Sequence, residues 1–345
     1  MQKHFLLLLF LSSFLFSCHK KYIPRQSITV EIINFDKPDT SIRALTVLTD
    51  SAMVYAGSKG DITRTKDLGD TWTTQQLKTD SIIPHFRAIG TNSKGFYALS
   101  IGNPALLYQS KNATFNLVYK EEHNKVFYNS MAFFDDLNGI AMGDPTADCL
   151  SILITRDGGD SWGKVHCKFL PKILPGEAAF AASNTNISIV GDHAWIVTGG
   201  SHARVFHSKD KGISWDVYKT PMIQGKSTTG IYTVAFYDEK NGIIMGGDYT
   251  KKNEIMPSKA ITSDGGETWQ IIKQNQPSYT SCVQYIPNTH GKELLATSTE
   301  GVYFSNDRGL TWNKVSDQGF YTLRMINQNM AWVAGHEKVA LLKLQ

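Results

Sequence analysis

The sequence predicts an all-β fold, a β-propeller of seven four-stranded antiparallel blades, with six as the alternative count. Three observations predict it. An eight-residue pattern, Ser/Thr-x-Asp-x-Gly-x-Thr/Ser-Trp, recurs five times along the chain. Ahead of each copy lie short apolar runs joined by turn dipeptides, as in Asn138-Gly139 and Asn241-Gly242. The two chain ends each hold strands that complete a unit only together. A pattern returning every 43 to 54 residues or so marks one supersecondary unit stacked many times.

The repeat reads Thr65 to Trp72, Thr155 to Trp162, Ser208 to Trp215, Thr262 to Trp269 and Ser305 to Trp312, with a worn copy at Ser110 to Phe115. Turn chemistry explains each position. The carboxylates of Asp67, Asp157, Asp210, Asp264 and Asp307 can accept from nearby backbone N–H groups and close the turn from within. The following Gly suits a positive φ. Trp72, Trp162, Trp215, Trp269 and Trp312 each supply a ring to pack into the blade. The carboxylates are too sparse for a calcium loop, so no metal is expected.

The strand pattern is clearest at Asn129–Phe134, Asn138-Gly139 and Ile140–Gly143, repeated at Tyr232–Phe236, Asn241-Gly242 and Ile243–Gly246. Six units end in a full or worn turn. Residues 319–344 then supply three strands, and Ser27–Ile33 is an orphan strand before the first unit. Together they make a seventh, and such closure removes free edges.

Residues 1–17 read as a signal peptide: Lys3 and His4, the apolar run Phe5–Phe16, then Ser17. Leu15-Phe16-Ser17-Cys18 resembles a bacterial lipobox, which implies lipidation of Cys18 and a cell-envelope location. With no acidic run after Cys18, the chain is expected to face the periplasm. Residues 18–26 read as a basic tether, and 27–345 as a single propeller domain. Cys149 and Cys167 fall opposite one another across a hairpin, within reach of a disulfide. A net charge of +4 with interspersed signs gives no nucleic-acid footprint. No Gly-x-Gly-x-x-Gly, Cys-x-x-Cys or Cys-x-x-Cys-His supports redox chemistry, and no cofactor is expected.

In a propeller the connections between blades share one face with the loops from second to third strand, and the repeat turns lie on the other. Counting back along each blade puts Arg43, Arg87, Asn129, Thr185, Tyr232, Val283 (or Cys282) and Tyr321 at the mouths of the innermost strands. Two arginines in adjacent blades point to anion recognition. The neighbouring loops add Asp144, Glu177, Arg204, Asp248 and His336.

The repeat resembles the Asp-box, or BNR repeat, of sialidases, sortilin-type receptors and related propellers. With Ser41-Ile42-Arg43-Ala44-Leu45 and Gly176-Glu177-Ala178-Ala179-Phe180, the chain from about residue 27 onward is similar to the photosystem II assembly/stability factor family and its non-photosynthetic bacterial relatives. The resemblance implies an exported propeller that binds a protein client, partly through arginines; Arg43 and Arg87 are the positions that carry over. An unknown protein client, or an anionic ligand or glycan, is therefore the expected partner, with the membrane reached through the lipid anchor. A glycan-active enzyme is the alternative. A sialidase-like set of Arg43, Arg87 and Arg204 with Tyr232 or Tyr321, Glu177 and Asp144 has the right residue types, and His202, Tyr249 or His336 are base candidates for a lyase. The sialidase Phe/Tyr-Arg-Ile-Pro signature is missing.

Overall fold

The computed structural model describes residues 22–111, 114–274 and 276–345. The signal peptide, Cys18 and the middle of the worn turn lie outside these residues. No helix among them is long and apolar enough to cross a membrane.

Strand follows strand throughout, interrupted by the one-turn 3-10 helix Cys167–Phe169. Four sheets hold four strands in meander order. The first has Phe86–Asn92, Gly95–Ser100, Ala105–Lys111 and Thr114–Glu121. The second has Tyr128–Phe133, Gly139–Gly143, Ser151–Thr155 and Gly163–Lys164. The others run from Ile187–Val190 to Asp216–Lys219 and from Cys282–Tyr285 to Asn313–Ser316. A fifth meander, Thr229–Phe236 to Gln270–Ile271, is extended by the two-residue strands Gly199–Gly200 and Glu177–Ala178.

The remaining sheet has seven strands because one long strand, Val30–Val47, serves twice. Val30 to Asp36 pair with His336–Leu344, in register Val30↔Leu344 to Asp36↔Lys338. Past an irregularity the same strand pairs with Met53–Gly57, from Ile42↔Gly57 to Val47↔Met53. The two chain ends are thus joined by backbone hydrogen bonds.

The apolar core lies between successive sheets. Ala44, Val54 and Ile62 meet Phe86, Ile89 and Phe96 of the next sheet. The opposite side of the same strands, with Ile42, Leu45 and Tyr55, meets Trp332, Val339 and Leu341. Period-two alternation therefore feeds two different cores from one strand. The first strands of successive sheets lie side by side, from Val30–Val47 through Phe86–Asn92 and onward, and the last, Thr322–Asn327, touches Val30–Val47 again.

The five repeat turns share one hydrogen-bond scheme. In the first, Thr65 Oγ1 donates to Asp67 Oδ1 at 2.8 Å and accepts from the Gly69 N–H at 2.9 Å. Asp67 Oδ1 also accepts from the Thr71 N–H at 2.9 Å, while Oδ2 takes the Thr71 hydroxyl at 2.5 Å. Asp157, Asp210, Asp264 and Asp307 repeat these contacts. The central glycines sit at φ between 84° and 101°, where a β-carbon is strained. Both Asp oxygens are consumed inside the turn, so these carboxylates are structural. The rings do as expected: Trp72 packs edge-on to Phe35 and Trp332, with centroids 5.3 and 5.9 Å away.

Cys149 and Cys167 form a disulfide with Cα atoms 5.5 Å apart. Residues 22–26, part of the segment read as a tether, are bonded to the domain. Glu293, whose side chain is fully buried, receives the Tyr22 hydroxyl at 2.5 Å, the Arg25 N–H at 2.7 Å and the Arg25 guanidinium at 2.6 Å. A buried carboxylate needs such partners, and the chain before the first strand supplies them.

Candidate functional site

Each sheet has two ends. The repeat turns and the turns from first to second strand lie at one. At the other, the connections between sheets and the loops from second to third strand converge. The candidate site is at this second end.

Its side chains are aimed by β-bulges. The first strands break register at the same place: between Ile42 and Ala44, between Phe86 and Ala88, opposite Met142/Gly143 where Asn129 is skipped, and between Ile231 and Thr233. The residues in the bulges are Arg43, Arg87, Asn129 and Tyr232. A bulge inserts one residue and re-aims its side chain. It thereby lets Ile42 and Ala44, or Phe86 and Ala88, both stay buried in the core while the residue between them turns to the mouth.

Across that mouth runs the segment 179–185. Its backbone carbonyls are taken by arginines from three first strands. Arg87 Nη1 donates to Ala181 O and Arg43 Nη1 to Ala182 O, each at 2.9 Å. Arg324 Nη2 donates to Ser183 O and Asn184 O at 3.2 and 3.1 Å. Asn184, at φ 59°, accepts from the Met131 N–H and donates to Ile89 O. Ser183 reaches Ser281 O, and Thr185 reaches the Thr233 hydroxyl. Phe180, Ala181 and Ala182 of this segment line a cleft.

The cleft has a volume of about 500 Å³. Arg43, Arg87, Lys252, Tyr232, Tyr279 and Tyr321 line it, with Phe180, Tyr249 and Thr299. The Arg43 guanidinium lies 3.8 Å from the Tyr321 ring centroid, a cation–π geometry. Phe180 stacks on Tyr232 with centroids 4.0 Å apart. Among the described residues no carboxylate lines the cleft. Burial lowers the pKa of Arg43, and burial together with the Arg43 charge brings Arg87 down to about 10. His85 accepts from Arg87 Nε at 3.0 Å. Burial, and then the charges of Arg87 and Arg43, hold it near 4, so it is neutral at physiological pH. The Arg43 Nε is buried without a hydrogen-bond partner. The guanidinia rest on carbonyls and rings and have no counter-ion among the described residues, which is the electrostatic character of an anion site.

Of the residues expected at the site, Arg43, Arg87, Tyr232, Tyr249 and Tyr321 come together. Arg204, Glu177, Asp144, Asp248, Thr185, His202 and His336 do not join them. Arg204 and Glu177 bind one another: Glu177 is fully buried, and its carboxylate takes Arg204 Nη2 at 2.6 Å, Arg204 Nε, the Thr198 hydroxyl and the Leu174 N–H. The short strand Glu177–Ala178 sets this pair beside Gly199–Gly200, outside the cleft lining. The sialidase-like grouping of Arg43, Arg87 and Arg204 is therefore not assembled. Asp144 accepts from Asn129 Nδ2 and the Ala179 N–H, each within 3.0 Å, and burial raises its pKa. Asp248 closes a turn on Thr250. Thr185 belongs to the crossing segment and not to the strand that starts at Ile187. His202 bonds Ser201, and His336 is exposed beside Glu337.

Arg324, Tyr279, Phe180 and Lys252 were missed. Arg324 had a signal. Thr322-Leu323-Arg324 repeats the polar–apolar–Arg order of Ser41-Ile42-Arg43 and His85-Phe86-Arg87, with Leu323, Ile42 and Phe86 all buried. Phe180 and Tyr279 lie in connections with no periodicity to read.

No family model matches the chain, and no curated protein matches it. Solved structures do. The structure described as YCF48 bound to D1 peptide is similar over 94% of this chain and 100% of its own, with a TM-score of 0.66 and 12% identity. YCF48 from Cyanidioschyzon merolae gives 0.66 and 12%, covering 91% of this chain and 98% of its own. The WD40 repeats of RRP9 give 0.66 and 12%, covering 92% and 100%. The chain is a β-propeller. At this identity the likeness carries the fold, and the cleft's chemistry rests on its own residues.

Proposed function

We propose that this protein is a seven-bladed propeller that binds an anionic segment of a protein client at the Arg43/Arg87 cleft and serves as an assembly or stability factor in the cell envelope. One observation carries the reading: two adjacent guanidinia, aimed by bulges, face an open aromatic cleft with no carboxylate in its described lining. A client carboxylate would supply the missing counter-ion, and the rings of Tyr232, Tyr249, Tyr279 and Tyr321 would take the apolar part of the segment. The fold neighbour YCF48 is described with a D1 peptide bound, which is in keeping with peptide recognition by such a scaffold. The seven-blade count is supported by the double pairing of Val30–Val47, which gives the last unit its fourth strand and the first unit its innermost one. We read the repeat turns as Asp-boxes from their residues and Cys18 as the lipidation site, with the domain facing the periplasm.

An anionic glycan is the second ligand class. The five aromatic rings of the lining favour it. Glycoside hydrolysis ordinarily needs a carboxylate pair at close separation, so the glycan is read as a ligand.

The test is affinity capture from detergent-solubilised native membranes, with wild type beside the Arg43→Ala/Arg87→Ala double variant. Each charge-assisted hydrogen bond contributes about 1.5–3 kcal/mol, so a client should be enriched by wild type and lost with the double variant. A client indifferent to both substitutions would move the site elsewhere. Cys18→Ser, followed by metabolic labelling with a palmitate analogue, tests the anchor.

A further inference from the structure

Tyr22, the first described residue, lies on the repeat-turn face. Glu293 sits at the turn between the first and second strands of the Cys282–Ser316 sheet, and its buried carboxylate holds Tyr22 and Arg25. Asn306, inside the repeat turn of the same sheet, donates to Arg25 O and Gln26 O at 2.8 and 3.1 Å. Lys292 Nζ donates to Tyr22 O at 2.9 Å, and the Tyr22 ring lies 5.6 Å from the His290 ring. Residues 22–26 are therefore a clamp and not a swivel. Three residues, His19, Lys20 and Lys21, separate Cys18 from Tyr22, a span of four peptide links. An extended chain of that length reaches about 14 Å at most.

The same face carries exposed apolar side chains. Ile23 is 83% exposed beside the clamp, and Leu310 is 49% exposed in the repeat turn next to it. Ile213, at 69%, takes the corresponding position in another repeat turn. Leu48, Leu137 and Tyr237 project from turns between first and second strands on this side. Arg308 stands exposed between Asn306 and Leu310. Apolar tips with a nearby cation suit the boundary between headgroups and acyl chains.

We infer that the repeat-turn face of the Cys282–Ser316 sheet rests on the lipid bilayer and that the clamp on Glu293 holds the Arg43/Arg87 cleft pointing away from it, toward clients that project from the membrane. The inference rests on the proposed lipidation of Cys18 and adds the orientation, which lipidation alone leaves free. Glu293, Arg25 and Tyr22 are positioning residues.

The test uses the full lipidated chain in vesicles of phosphatidylethanolamine and phosphatidylglycerol containing an acceptor-labelled lipid. A donor dye is placed on Lys240→Cys at the repeat-turn face or on Lys251→Cys at the cleft face; both positions are exposed, Cys282 is buried, and Cys149 and Cys167 are bonded. Energy transfer to the lipid should be at least twofold stronger from position 240 than from position 251. Inserting about twenty Gly/Ser residues between Lys21 and Tyr22 loosens the tether without touching the fold, and it should erase the difference while the protein still floats with the vesicles. Equal transfer from both positions in the uninserted chain, or stronger transfer from 251, overturns the orientation. A protein that does not float and carries no acyl group overturns the anchor and the orientation with it, and flotation separates that result from a reversed orientation.

Discussion

Arg43 and Arg204 lie on the same side of the molecule and have opposite surroundings. Arg204 meets a fully buried Glu177 through Nε and Nη2, and the remaining lone pairs of that carboxylate are taken by Thr198 and Leu174. Arg43 meets a carbonyl, a tyrosine ring and open solvent, and its Nε has no partner. Arg87 matches Arg43, while Arg25 on Glu293 matches Arg204. The residue type is constant; the partner decides whether a guanidinium holds the fold or is left for a ligand.

The largest test breaks the paired site. Arg204→Ala leaves an uncompensated buried carboxylate, so unfolding free energy measured in denaturant should fall by about 3–5 kcal/mol. Adding Glu177→Gln should recover part of that loss, because the stranded charge is gone while a hydrogen-bonding group remains. Arg43→Ala should behave differently. It removes one charge-assisted hydrogen bond to Ala182 O, offset in part by the loss of a desolvated charge, so stability should fall by no more than about 1.5–3 kcal/mol while client capture is lost. If Arg43→Ala destabilises as much as Arg204→Ala, the contrast between the two arginines fails.

A smaller test separates both arginines from the repeat turns. Hydrogen bonds from the Thr71 hydroxyl and N–H, and then Thr65, hold Asp67 near pH 2. A folded pKa below the unfolded value gives stability that is present above about pH 4 and lost as pH falls through 2. Asp67→Asn should flatten that part of the acid limb in a thermal-melting series, and it should leave client binding alone. An unchanged acid limb would mean that the carboxylate titrates freely.

The repeat turns were readable from sequence because everything they need lies within eight residues: hydroxyl, carboxylate, glycine and ring meet within one turn. Arg43 and Arg87 were readable because the strand pattern repeats around them. The bulges that aim them were not, since a one-residue slip is invisible until the partner strand is known. Glu177, Arg204, Asp144 and Asp248 have the residue types of a site, yet they are consumed by partners that only the fold brings near. Segment 179–185 has no periodicity, and its hydrogen bonds go to Ile89, Met131, Ser281 and Arg324, all distant in sequence. The same holds for Arg25, which reads as part of a basic tether until Glu293 is seen across the chain.

His85 reports most directly on whether the cleft is an anion site. In the free protein, burial and then the charges of Arg87 and Arg43 depress its pKa to about 4. Histidine NMR during titration with an acidic peptide measures this pKa with and without ligand. An anion seated on Arg87 and Arg43 offsets their charge, so the His85 pKa should rise saturably toward its ordinary value of about 6.5. The rise should vanish in the Arg43→Ala/Arg87→Ala variant and persist in the destabilised but folded Arg204→Ala. A His85 pKa that stays near 4 at saturating peptide, or a rise unaffected by the double substitution, would contradict the assignment of this cleft.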